Sequence, residues 1–117
     1  MRALLPIVLL AACGPASTDP CDAMCDAGAA LYGSCLEEWG VEWESAGYAD
    51  ESAWLESCQT WAWEMRLLEE DAVDAGLATA GSTDQTCEAR AQSWTEPATT
   101  CAEYTAVDWS LTPWEAP

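Results

Sequence analysis

Seven cysteines in a chain of 117 residues constrain the fold more than any other feature. Six of them, Cys21, Cys25, Cys35, Cys58, Cys87 and Cys101, lie in the body of the chain, and the seventh, Cys13, closes an apolar N-terminal run. A folded part of about 90 to 100 residues hides only roughly 60 to 65% of the surface its unfolded chain exposes, so the core is thin and covalent staples are expected. An even set of six reads as three disulfides wherever the compartment is oxidising, each adding about 2 to 4 kcal/mol. The competing use is a zinc site, but zinc ligands favour paired short spacings, usually with His. Here only Cys21 and Cys25 are close and His is absent, so no metal and no cofactor is expected.

The cysteines fall on helical patterns. Asp19-Pro20 has the form of a helix start, with Asp as N-cap and Pro in the first turn, and the pattern runs to Trp39 and stops at Gly40. At about 100° per residue, Cys25 and Cys35 lie roughly 40° to either side of Cys21, so one face carries all three thiols. Gly28 falls in the same stripe and leaves room for a close approach. A second helix is expected from Asp50 to Ala75, with Gly76 as its stop. Its buried stripe is Trp54, Cys58, Trp61, Met65, Leu68 and Ala72, and its outer face is Glu56, Gln59, Arg66, Glu70 and Asp74, joined by Trp63.

A third helix is expected near Ser82, where Ser82 and Gln85 have capping-box spacing, and it runs to about Trp94. Pro97 interrupts the pattern, and Ala98 to Val107 reads as a short fourth helix. These elements imply an all-α fold, a small disulfide-stapled bundle of three to four helices with the first as its spine. If neighbouring helices are antiparallel, Cys35 meets Cys58, and the expected remaining pairs are Cys25 with Cys87 and Cys21 with Cys101.

At the N-terminus, Arg2 precedes ALLPIVLLAA, an apolar run of about ten residues where a spanning helix needs about twenty. It reads as an export signal. Its end, Leu10-Ala11-Ala12-Cys13, resembles the lipobox of bacterial lipoproteins at all four positions: an aliphatic residue, two small residues and the cysteine. The resemblance is confined to about the first 14 residues. It implies that the Cys13 thiol receives a diacylglyceryl group, that residues 1–12 are removed, and that the chain is anchored to a membrane of the bacterial cell envelope. Gly14, where enteric lipoproteins retained on the inner membrane carry Asp, points by the same resemblance to the outer membrane. Two or three acyl chains at about 0.8 kcal/mol per buried methylene make such an anchor effectively permanent. The expected organisation is a signal peptide over 1–12, a lipidated linker over 13–18, a disulfide-rich helical domain over 19–108 and an irregular tail over 109–117. The linker reaches roughly 20 Å, which holds the domain close over the bilayer.

Charge then narrows the function. Twenty-one acidic residues face three arginines, Arg2, Arg66 and Arg90, with no Lys, for a net charge of −18. Nucleic acid is not an expected partner, because phosphate binding needs clustered cations. The absence of His and Lys removes the commonest general base and the usual activators of Ser or Cys nucleophiles. Glu37-Glu38, Glu42-Trp43-Glu44 and Glu69-Glu70-Asp71 read as solvated charges. Asp19, Asp22 and Asp26 suit the positive end of a helix dipole and need no calcium to explain them.

Eight tryptophans are the remaining excess. Trp39, Trp54 and Trp61 are expected in the core. Trp43, Trp63, Trp109 and Trp114 are the candidate binding residues, since exposed Trp is enriched at binding hot spots. Arg66 is expected to stack on Trp63, and Arg90 on Trp94. The expected function is a non-catalytic, membrane-anchored module that binds an unknown protein or plays a structural part in the envelope. Two rival readings are a small carboxylate-dependent glycan hydrolase and an inhibitor or immunity-type protein for a basic partner.

Overall fold

The computed structural model describes residues 19–115. The expected signal peptide, the lipid site Cys13 and the linker to residue 18 lie outside the described residues. Within them the chain forms α1 (Pro20–Trp39), a 3-10 turn (Trp43–Ala46), α2 (Glu51–Asp74), α3 (Ser82–Trp94) and α4 (Cys101–Thr105), with no strand.

The first two helices start and stop where their caps dictate. The Asp19 carboxylate accepts the N–H groups of Cys21 and Asp22 at 2.8 and 3.2 Å, satisfying donors that have no partner within the helix. At the other end Gly40 turns left-handed at φ 70°, and the N–H groups of Gly40 and Val41 reach back to the carbonyls of Glu37 and Leu36. Asp50 caps α2 through the Ala53 N–H at 2.9 Å. Gly76, at φ 74°, lets Leu77 bond back to the Ala72 carbonyl at 2.8 Å.

The third helix has the expected span, Ser82–Trp94, but a different cap, and the fourth starts later than expected. Gly81, not Ser82, is the N-cap of α3, at φ 89° and with no side-chain cap of its own. Its first turn is capped from α2 instead: the Glu69 carboxylate accepts the N–H groups of Gly81 and Thr83 at 2.9 and 2.6 Å. Helix α4 is shorter than the expected 98–107 because its true capping box is Thr100 with Glu103, each side chain taking the other's N–H.

Helix α1 is the spine, packed most extensively on α3 and then on α2. Its Gly28 lies under two indoles: a Cβ there would meet Trp54 at 2.7 Å and Trp94 at 3.1 Å. Met24, Cys25, Ala29, Trp54, Ala62, Cys87, Trp94 and Tyr104 form the buried centre around it.

Each cysteine of α1 is bonded to a different later helix: Cys21 to Cys87 in α3, Cys25 to Cys58 in α2, and Cys35 to Cys101 in α4. These are not the expected partners: Cys35 does not meet Cys58, nor Cys25 Cys87, nor Cys21 Cys101. The expected pairing took α1 and α2 as antiparallel neighbours, with Cys35 near the end of one opposite Cys58 near the start of the other. Instead Tyr32, Trp43 and Trp54 form an aromatic wedge between the C-terminal half of α1 and the start of α2, with Tyr32 centroids 5.3 Å from Trp43 and 6.3 Å from Trp54. With the wedge between them, Cys58 reaches the second turn of α1, where it meets Cys25. Cys35 is left for α4, which closes over the same end of the spine.

Two expected core residues are surface residues. Trp39 is the last residue of α1, beyond the elements packed against that helix, and is 46% exposed. Leu68 is 47% exposed. Arg66 of α2 contacts Asp19 at the very start of α1, so the turns of α2 beyond that point have no spine to pack on. Helical periodicity marks a stripe but not how far a partner helix extends beneath it.

Candidate functional site

The four candidate tryptophans are not gathered into one site. Trp43 and Trp109 are half-buried and converge on the buried Trp54, with centroids 6.4 Å away in each case. Trp109 opens the segment expected to be an irregular tail, yet it is an integral part of the packing. It meets Trp61 edge-on at 5.2 Å, and its carbonyl accepts the Trp61 Nε1–H at 3.1 Å. Trp114 is half-buried. Trp63 alone stands outward, 62% exposed on α2, with Leu67 one turn later at 45%. Exposed Glu56, Glu64, Glu70 and Asp71 surround this pair along the helix.

The arginines bind elsewhere than expected. Arg66 turns away from Trp63 to hold Asp19 and Asp84, each at 2.8 Å, tying the N-terminal ends of α1 and α3 to α2. The Arg66 guanidinium bond holds the Asp19 carboxyl below its ordinary range, with burial opposing and the Asp22 and Cys21 N–H groups assisting. Arg90 does not reach Trp94, whose ring is turned inward onto Gly28. Its guanidinium lies 5.3 Å from the Trp61 ring centroid and 5.1 Å from that of Trp109. One of its nitrogens is buried with no hydrogen-bond partner, and burial lowers the basicity of the group.

Two grooves adjoin these elements. One, of about 350 Å³, lies between the end of α1 and the loop after it, lined in part by Gly33, Trp43, Glu37, Glu42 and Glu51. All three carboxylates are exposed. The other is aromatic: a cleft of about 270 Å³ lined by Tyr32, Tyr48, Trp54, Tyr104, Val107 and Trp109 adjoins one of about 170 Å³ that shares Tyr48, Trp54 and Trp109. Sequence periodicity could not reveal this second groove, since its walls come from α1, the loop, α2, α4 and the tail. Among the described residues no group of three or more His, Cys, Asp or Glu side chains is placed to hold a metal ion, and no helix is long and apolar enough to cross a membrane.

Compared with protein-family models, with curated proteins and with solved structures, the chain matches none of them.

Proposed function

We propose that this protein is an exported, lipid-anchored module of a bacterial envelope that acts by binding another protein, with Cys13 carrying the anchor and the outward face of α2 making the contact. The observation that carries the reading is Trp63. A solvent-facing indole with Leu67 beside it on one helix face forms an apolar anchor of the kind that dominates binding energy. Its acidic surroundings favour a partner with basic groups around an apolar pocket, drawn in by opposite charge. The three disulfides support an oxidising compartment outside the cytoplasm.

The test places a photo-crosslinking side chain at Trp63 in cells, with Glu88 on the exposed face of α3 as control. The expected result is one discrete protein adduct at Trp63, absent at Glu88 and reduced at about 0.5 M salt, which screens the charge attraction. No adduct, or the same adducts from both positions, refutes the reading. Trp63→Ala should leave stability within about 0.5 kcal/mol of wild type while removing the adduct's partner from pull-downs.

A second reading, a carboxylate-dependent glycan hydrolase, rests on the groove that places Glu37, Glu42 and Glu51 around Trp43. Turnover of envelope glycan that disappears in Glu51→Gln would establish it. Absence of turnover by the folded wild type removes it.

A further inference from the structure

The aromatic groove on the far side of Trp54 has a chemistry the protein-binding face does not share. From its rings and the charge around them, we infer that it is a binding site for an organic cation of the methylated ammonium class, a site separate from the α2 surface.

Its lining includes Tyr32, Tyr48, Trp54, Tyr104 and Trp109, with Thr105 and Val107 beside them. The rings meet edge-on or tilted: Trp54 crosses Trp109 at 82°, and Tyr32 lies 5.2 Å from Tyr104 at 42°. No carboxylate, amide or guanidinium side chain lines either part of the groove. Burial pushes the Tyr32 and Tyr104 phenols upward, with the neighbouring tyrosines adding to it, so the rings stay neutral at ordinary pH. Besides the Thr105 and Ser57 hydroxyls, the lining offers a ligand neutral aromatic rings, and a ring quadrupole attracts positive charge.

The protein shows that this cluster tolerates a cation. Arg90 forms no ion pair among the described residues, in a chain with twenty-one acidic residues, and rests on Trp61 and Trp109 with one nitrogen buried and unbonded. That guanidinium rests on two rings of the cluster without lining the groove, so the Tyr32–Tyr48–Trp54–Tyr104 part is free for a ligand. A net charge of −18 concentrates cations at the surface and repels anions. The volume of about 270 Å³ lies below the roughly 300 to 1,000 Å³ of pockets that enclose drug-sized ligands, so the groove suits one small headgroup.

The test titrates the full-length chain with choline and with its neutral carbon isostere, dimethylbutanol, at about 150 mM salt to screen long-range attraction. The readout is the indole N–H resonances of Trp54 and Trp109. Choline should saturate the shift at least about tenfold more tightly than the isostere, the difference expected of a partly desolvated cation on several rings. Tyr48→Ala should weaken choline by about tenfold, and Trp63→Ala should not change it. Free solutes and lipid headgroups both carry this chemistry: saturation by choline assigns the solute, and a response only to phosphatidylcholine vesicles assigns the headgroup. Equal affinity for the isostere, saturation by a methyl glucoside instead, or no response to either source of the cation overturns the inference. The comparison of ligands on the wild type decides the matter even where Tyr48→Ala does not fold.

Discussion

Gly28→Ala and Gly33→Ala, five residues apart on α1, should change stability in opposite directions. Both glycines sit in the interior of the helix, where Ala is favoured by about 1 kcal/mol. The tertiary surroundings differ. A Cβ at residue 28 would come within 2.7 Å of Trp54 Cη2, closer than real Cβ contacts allow, and 3.1 and 3.2 Å from two Trp94 ring carbons, tighter than most. Trp54 cannot swing aside, because it is 4% exposed and has Tyr32, Trp43 and Trp109 around it. Overpacking of this kind costs typically 1 to 3 kcal/mol. Two indoles must move, which places the cost at the upper end and leaves a net loss of about 1 to 2 kcal/mol after the gain in propensity. For a domain of this size that lowers Tm by roughly 4 to 16 °C. At residue 33 the nearest atoms are Trp43 Cζ2 at 3.5 Å and a Glu51 carboxylate oxygen at 4.0 Å, ordinary contacts, so the propensity term stands alone and Tm rises by a few degrees. Thermal unfolding followed by circular dichroism, without reductant, checks both variants. A Gly28→Ala protein as stable as wild type would mean that the indoles do not close on the spine as described.

Glu69→Gln should cost about 1 to 2 kcal/mol at pH 7, because an amide cannot accept both the Gly81 and Thr83 N–H groups that the carboxylate caps. Burial pushes the Glu69 carboxyl upward, but the Thr83 and Gly81 N–H bonds, with the Thr83 side chain and the Arg66 charge, together outweigh it, so its folded-state value is depressed. The contribution is therefore present above the unfolded value near 4.5 and lost as pH falls through the folded one. The Tm difference between wild type and Glu69→Gln should narrow below about pH 4.5, and a gap independent of pH refutes the cap. Removing the Cys35–Cys101 bridge by paired Ser substitution should cost roughly 2 to 4 kcal/mol, since it closes 66 residues of chain. Helix α4, only five residues long, cannot stand unaided, so Trp109 should lose its place against Trp61 and the Trp61 indole N–H should exchange faster with solvent. Unchanged Trp61 protection would show that the tail docks without the bridge.

Much of the fold was legible because helix boundaries here are written in local chemistry. Asp19, Asp50, Gly40 and Gly76 mark the first two helices through bonds that span only a few residues. The all-α class and the six-cysteine framework follow from the same local reading. What was not legible depends on elements distant in sequence. Ser82 has capping-box spacing, but Glu69, twelve residues before Gly81, supplies the cap. The disulfide pairs depend on where α2 crosses α1, which the Tyr32–Trp43–Trp54 wedge decides. Arg90 prefers Trp61 and Trp109 to its helical neighbour Trp94 because Gly28 draws that ring inward. Trp63 could be singled out from its place among acidic positions of α2. The aromatic groove could not, since five separate segments build it.

The proposal of a lipid-tethered binding module is tested most directly by the intact mass of the protein recovered from bacterial membranes without reductant. The expected species is residues 13–117 with acyl chains added at Cys13 and the other six cysteines oxidised in pairs. A soluble product that retains residues 1–12, or that carries a free Cys13 thiol, would contradict it.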